Sequence, residues 1–279
     1  MTDHLPGSTR IGRTALTVAN LEKSIEFYRD VVGLVVRAKS EAAATLGTET
    51  EPLLELRRDA DAQPRNRNQA GLFHNAFEVT SRAALGATLE RIRDRWTLNG
   101  ASDHYVSEAL YLDDPEGNGV EIYCDRPQSA WPRRDDGTVR IGTIPLDLEA
   151  VAAESDRAAT VPDGTTVGHV HLETTSLEAA REFYVETLGF QVQTEIHGAL
   201  FVSAGGYHHH LGVNAWAGRS QPRPADGRGL AWVELLVPST TALETIRDRL
   251  DVTGVSVTER ESGFETTDPD GVTVRIRIA

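Results

Sequence analysis

The chain has a single cysteine, Cys124, in 279 residues, which excludes an intrachain disulfide framework. Lysine is nearly missing as well. Lys23 and Lys39 are the only two, and every other basic side chain is arginine. Positive charge is scarce overall, with 28 Lys and Arg against 42 Asp and Glu and a formal net charge of -14. A surface of that sign repels phosphate backbones, so a nucleic-acid partner is not expected. No apolar run approaches the roughly 20 residues of a membrane span. The opening MTDHLPGSTR lacks the charged and apolar regions of a secretory signal. The expected location is therefore the cytoplasm, with no membrane partner. Acid-rich, lysine-poor surfaces are ones that high salt tolerates, because ions screen the repulsion between carboxylates. A salt-loving source is an expectation that follows.

What is present is ordinary for a soluble globular protein: 39% hydrophobic and 25% charged residues. The length suffices for two domains with sizeable cores. The strongest organising signal is internal repetition. Residues 11–34 (IGRTALTVANLEKSIEFYRDVVGL) and 167–190 (VGHVHLETTSLEAAREFYVETLGF) share one pattern. Each has a strand, a polar cap (Asn20, Ser176), a helix with apolar residues at helical spacing, and a terminal glycine (Gly33, Gly189). Arg13 to Tyr28 and His169 to Tyr184 are both 15 residues apart.

Two further units are weaker copies. Gly71–Val79 precedes a helical stretch over Arg82–Leu98, and Gly229–Val237 precedes one over Thr240–Leu250. The chain thus divides into four modules, with boundaries near residues 68, 150 and 227. Short strands are expected at Leu53–Leu56, Gln191–Ile196, Ala199–Ser203 and His208–Ala215. Residues 1–127 hold modules 1 and 2, 128–165 read as a linker covering one surface, and 166–279 hold modules 3 and 4.

The segment Tyr111–Tyr123, YLDDPEGNGVEIY, reads as a hairpin: an apolar strand, a Pro- and Gly-containing turn, and a return strand. Alternation sets Glu121 opposite to Val120 and Ile122. Taken alone, Glu121 reads equally as a metal ligand or as a solvated strand residue. TTDPDGVTVRIRI near the end echoes this hairpin, with Arg275 in place of the carboxylate.

FY in the first helix, LG after it, and DPxGNxxE before the last strand resemble the vicinal oxygen chelate superfamily, which includes glyoxalase I, fosfomycin-resistance proteins and extradiol dioxygenases. SEALYLDDPEGNGVEIYCDRP, GHVHL and FVSAGGYHHHLGVNAWAGR look like the two-domain Bacillus-type catechol-2,3-dioxygenase group. The resemblance implies an α+β fold in which four βαβββ modules form two cupped mixed sheets with helices outside. It also implies a metal in one cup, held by two histidines and a glutamate, with positions open for a catecholate and O2.

Laid on that pattern, module 2 puts His74 and Glu121 at ligand positions, and module 3 puts His169 there. Module 1 offers Arg13 and module 4 offers Trp232 and Arg275, none of which binds a metal. Only modules 2 and 3 together supply a full set, so the functional cup is expected to cross the middle of the sequence. His171, two residues from His169, is a rival ligand. His209 falls where the dioxygenases carry a catalytic histidine; His208 and His210 are its rivals. Tyr111 falls at the position of a tyrosine that hydrogen-bonds substrate, and equally reads as a buried tyrosine. His104 is a further candidate near it, and Asn214 and Trp216 are expected to line or close the pocket.

The implied activity is extradiol cleavage of a catechol-like diol with Fe(II) or Mn(II). The expected partners are a small aromatic diol and O2, and self-association stays open. A glyoxalase-type isomerase, which prefers four protein ligands, and a metal-free binder of planar ligands are the rivals.

Overall fold

The computed structural model describes residues 4–279. Each repeat begins with a strand, Arg10–Val18 or Thr166–Glu173, and turns into a capped helix. Asn20 accepts from the Lys23 amide and Ser176 from the Ala179 amide, which satisfies donors that the first helical turn leaves unpaired. Both helices widen into a π-helical turn, Tyr28–Val32 and Glu182–Thr187. They end at Gly33 and Gly189, with φ of +94° and +92°, a region that favours glycine.

The widened turns aim two tyrosines at equivalent hairpins. Tyr28 Oη donates to Asp114 Oδ2 at 3.0 Å, and Tyr184 Oη donates to Asp268 Oδ2 at 2.8 Å. Each aspartate folds its own turn. Asp114 Oδ1 accepts from the Glu116 and Asn118 amides, and Asp268 Oδ1 from those of Asp270 and Val272. Module 1 is thereby tied to module 2, and module 3 to module 4.

The sheets join the modules differently. One sheet runs, in spatial order, Thr258–Arg260, Gly263–Thr267, Thr273–Ile278, Gly229–Val237, Arg10–Val18, Pro52–Arg58, Ala43–Gly47 and Val35–Lys39. Modules 4 and 1 meet there through their first strands, with Ala15 opposite Trp232. The other runs Gln191–Ile196, Ala199–Ser203, Leu211–Asn214, Thr166–Glu173, Gly71–Glu78, Gly119–Asp125, Ser107–Asp113, Gly100–Asp103 and Ile144–Pro145. Modules 3 and 2 meet in it through antiparallel first strands, with His171 opposite His74 and His169 opposite Ala76. The fold is mixed α+β with two curled sheets, and the second sheet crosses the sequence midpoint.

One continuous core lies between sheets and helices. Leu16, Leu54, Phe77, Ile122, Val170, Val233 and Ile276 belong to it, together with Tyr28, Tyr184 and Phe190. Each such side chain contributes on the order of 1.5–3 kcal/mol by leaving water. No helix among the described residues is long and apolar enough to cross a membrane.

Several boundaries differ from the sequence expectation. The second long helix is Arg82–Arg95, because Trp96 leaves the helix and its indole donates to the Asp113 carbonyl at 2.8 Å. The last helix runs on to Thr253 and stops at Gly254, φ +71°. The strand expected over His208–Ala215 is shorter, Leu211–Asn214; the three histidines lie in the irregular segment before it. Residues 128–165 hold structure that their composition hid. A short helix at Leu148–Ala153 is capped by Asp147, and Ile144–Pro145 adds an edge strand to the second sheet beside Ser102 and Asp103.

Candidate metal centre

Three strands of the second sheet converge on one carboxylate. Along Gly119–Asp125, the apolar Val120 and Ile122 enter the core, which turns Glu121 toward the hollow of the sheet. Gly71–Glu78 supplies His74, and Thr166–Glu173 supplies His169. His74 Nε2 lies 2.9 Å and His169 Nε2 3.0 Å from Glu121 Oε2. One ligating atom from each of the three residues can be chosen so that all lie within 4.8 Å of one another, and all three residues are buried.

Close approach of these strands depends on Gly119, which pairs with His74. A Cβ there would stand 2.0 Å from the Phe73 carbonyl oxygen. Gly212 similarly leaves room for the His171 ring, 2.8 Å from its would-be Cβ.

The electrostatics suit a cation. Burial alone would raise the Glu121 carboxyl, but His169 and His74 outweigh it and hold the group well below the usual range. Burial lowers His169 and pushes His171 and His209 well below the usual imidazole value, leaving neutral rings with a lone pair to donate. Among the described residues, His74 Nε2 has no aligned hydrogen-bond partner despite its approach to Glu121, and His171 Nε2 also lacks one. Buried polar atoms are rarely left so. An orphaned histidine nitrogen facing a carboxylate, with a second histidine on the same oxygen, fits a divalent ion held by two His and one carboxylate.

The centre opens into a cavity of about 660 Å³. Phe73, Phe201, Ile196 and Trp216 line it beside His74, Glu121, His169, His171 and His209. Phe73 and Trp216 are exposed, so they form its mouth. On the far wall, Tyr111 lies opposite Glu121 in register, and its Oη meets His104 Nε2 at 2.6 Å. His104 Nδ1 lies 2.6 Å from the Gly142 carbonyl, which can only accept; Nδ1 therefore carries the proton and Nε2 accepts from the phenol. Burial, then the Glu121 charge, pushes the Tyr111 phenol well above its ordinary value, so it stays a donor.

The structure thus brings His74, Glu121, His169, His209, Tyr111 and His104 to one cavity. The other candidates divide between this cavity and its surroundings. His171 lines the same cavity with its ring 4.9 Å from that of His74, outside the ligand triplet. His210 Nδ1 accepts from the Ala204 amide, and His208 contacts Asp125 and His209. Trp216 lines the cavity as expected, whereas Asn214 is buried and donates to the Leu172 carbonyl.

Arg13, Trp232 and Arg275 occupy the corresponding places in the other sheet. The guanidinium carbons of Arg13 and Arg275 lie 5.5 Å and 4.2 Å from the Trp232 ring centroid, a cation–π cluster where the second sheet has its ligands. Ile141, Gly142 and Thr143 also line the cavity, and no periodicity marks them in the sequence. Asp125, against His208, lies four residues along the strand from Glu121 and so shares its face.

A sequence model described as the Glyoxalase/Bleomycin resistance protein/Dioxygenase superfamily matches residues 10–122 and 166–276. The chain belongs to that superfamily. Within it, the chain is 39% identical over 269 residues to a protein of Bacillus subtilis (strain 168) named catechol-2,3-dioxygenase, covering 94% of each. Its fold is similar to that of glyoxalase I from Zea mays, with a TM-score of 0.59 at 15% identity over 97% of this chain and 92% of that one. The cppA protein of Streptococcus pneumoniae TIGR4 gives 0.61 at 12% identity, over 97% and 99%. Likeness at such low identity shows the fold alone, so the chemistry has to be argued from the site.

Proposed function

We propose that this chain is an extradiol dioxygenase that opens a catechol-like ring beside its vicinal diol, using Fe(II) or Mn(II) held by His74, His169 and Glu121. The observation that carries this reading is the convergence of both histidine Nε2 atoms on Glu121 Oε2 at the floor of an aromatic-walled cavity. The Bacillus subtilis relative named catechol-2,3-dioxygenase supports the same assignment.

When bound, the ion would supply a Lewis acid that lowers the pKa of a coordinated diol hydroxyl. The remaining work falls to the protein. Phe73, Phe201 and Ile196 offer the ring apolar surface to pack against. His209, whose ring lies 4.2 Å from that of His169, takes the diol proton. The Tyr111 hydroxyl, its proton held by His104, leaves its oxygen to accept from a diol hydroxyl and orient it.

The His, Cys, Asp and Glu cluster among the described residues has three members, one fewer than a glyoxalase-type isomerase prefers. Two assays test the reading. Metal analysis of protein purified without chelators separates it from a metal-free binder. Anaerobic loading with Fe(II) or Mn(II) and a catechol, followed by oxygen, is expected to give a yellow ring-opened product. No product from any catechol with either metal overturns it.

A further inference from the structure

Behind His209 runs a chain of hydrogen bonds that the proposed reaction does not yet use. His209 Nδ1 meets His208 Nδ1 at 2.7 Å, and His208 Nε2 meets Asp125 Oδ1 at 3.0 Å. Two imidazole nitrogens at that distance share one proton, so one ring donates and the other accepts. Asp125 as a carboxylate only accepts, which places a proton on His208 Nε2. A neutral His208 then has Nδ1 bare, and His209 Nδ1 must be the donor. The remaining nitrogen of His209, Nε2, is left with its lone pair on the ring that lines the cavity.

We propose that His208 and Asp125 are positioning residues that fix the tautomer of His209 and pass on the proton it accepts. The proposal rests on the functional reading above for the source of that proton. The transfer is balanced and leaves no ring charged. A proton arrives at His209 Nε2, the Nδ1 proton moves to His208 Nδ1, and the His208 Nε2 proton moves to Asp125 Oδ1. The end state is a neutral His209 bearing Nε2–H, a neutral His208, and a carboxylic acid at Asp125.

The surroundings favour this path. His208 is almost fully buried, with its ring held 4.1 Å from Tyr207 and 5.1 Å from Trp131. Burial holds His208 down at about 3, which disfavours a lasting imidazolium in the middle of the chain. Burial pushes Asp125 up to about 7, so its acid and carboxylate forms lie close in free energy near neutral pH. The Asp125 side chain keeps 14% of its exposure, whereas that of His208 keeps 1%, so the chain leads outward from the cavity.

The tautomer is read directly by nitrogen NMR of the full-length, metal-free protein labelled with 15N-histidine, the His209 signals being assigned with His209→Gln. At pH 8.5, where Asp125 is a carboxylate, the wild type is expected to show His209 protonated at Nδ1. His208→Phe keeps a planar ring but removes the acceptor, and is expected to shift His209 toward Nε2–H. Asp125→Asn retains an oxygen that accepts from His208, so the tautomer stays while the proton store is gone. In that variant kcat on catechol is expected to fall by about 100-fold, the scale of a positioned proton transfer, with KM unchanged and partial recovery in Asp125→Glu.

His209 protonated at Nε2 in the wild type, a tautomer indifferent to His208→Phe, or wild-type kcat in Asp125→Asn would each overturn the relay. A wild type that opens no ring sinks the dioxygenase reading and leaves the NMR result to decide the tautomer.

Discussion

Replacing Gly119 by alanine tests whether strand spacing sets the metal centre. Gly119 pairs with His74, and its Cβ would lie 2.0 Å from the Phe73 carbonyl oxygen and 3.1 Å from His74 Cβ. Since the first clash is with backbone, no rotamer change relieves it. An ordinary contact begins at 3.4 Å, so the two strands must part by roughly 1.4 Å at this position. Metal–ligand distances tolerate only about 0.2 Å. Overpacking of this kind costs about 1–3 kcal/mol, which leaves a folded protein to study.

The expected result is therefore a folded variant whose Mn(II) affinity, measured by calorimetry, falls at least about 10-fold, the lower end of what disturbing a ligand's support does. Gly117→Ala is the control. With φ of +82° and nothing within 4 Å of its Cβ, it adds backbone strain of about 1 kcal/mol without touching a ligand. A Gly119→Ala protein that is folded and binds Mn(II) as tightly as the wild type refutes the reasoning, as does equal metal loss in both variants.

Four other outcomes follow from the structure. His74→Ala and His169→Ala are each expected to abolish stoichiometric metal, while His171→Ala retains it; metal retention in either of the first two removes that residue from the ligand set. Tyr28→Phe and Tyr184→Phe should each cost about 1–3 kcal/mol in urea unfolding. The second should cost more, because Asp114 also accepts from the Asn118 side chain, and the reverse ranking would contradict this account. Burial, reinforced by Asp125, raises the Glu78 carboxyl from 4.5 to about 7. The folded state thus binds the proton more tightly, and stability from this group is complete below about pH 4.5 and lost as pH rises through 7. Glu78→Gln is therefore expected to gain on the order of 1–3 kcal/mol at pH 8, shrinking toward pH 5, and a gain independent of pH would argue against it. Finally, the net charge of -14 predicts a melting temperature that climbs in molar KCl, and a flat salt profile would remove the salt-tolerance expectation.

The architecture was largely legible because it is repeated. Asn20 and Ser176, Gly33 and Gly189, and Tyr28 and Tyr184 occur at matched spacings, and each pair performs one physical task in both copies. With the ligand positions implied by the family resemblance, the coming together of His74, Glu121 and His169 followed from the poverty of modules 1 and 4 in ligating side chains. The limits of the histidine run could not. Alternation assumes a strand, and residues 208–210 are held instead by side-chain contacts with Asp125, Tyr207 and Ala204. The wall formed by residues 141–143 was equally hidden, since its contribution to His104 is a carbonyl that any residue could supply.

The antiparallel pairing of first strands has a consequence for how the protein comes to exist. Ala76 and His169 are neighbours in the sheet yet roughly 90 residues apart in the chain, and Ala15 and Trp232 are separated by roughly 200. Contacts of such high order form late, after much loop-closure entropy has been spent. During synthesis the first half emerges with His74 and Glu121 but without a second imidazole to complete the set. A metal ion therefore cannot template either half by itself, and tight metal uptake becomes a report that the two middle modules have paired across the sequence midpoint.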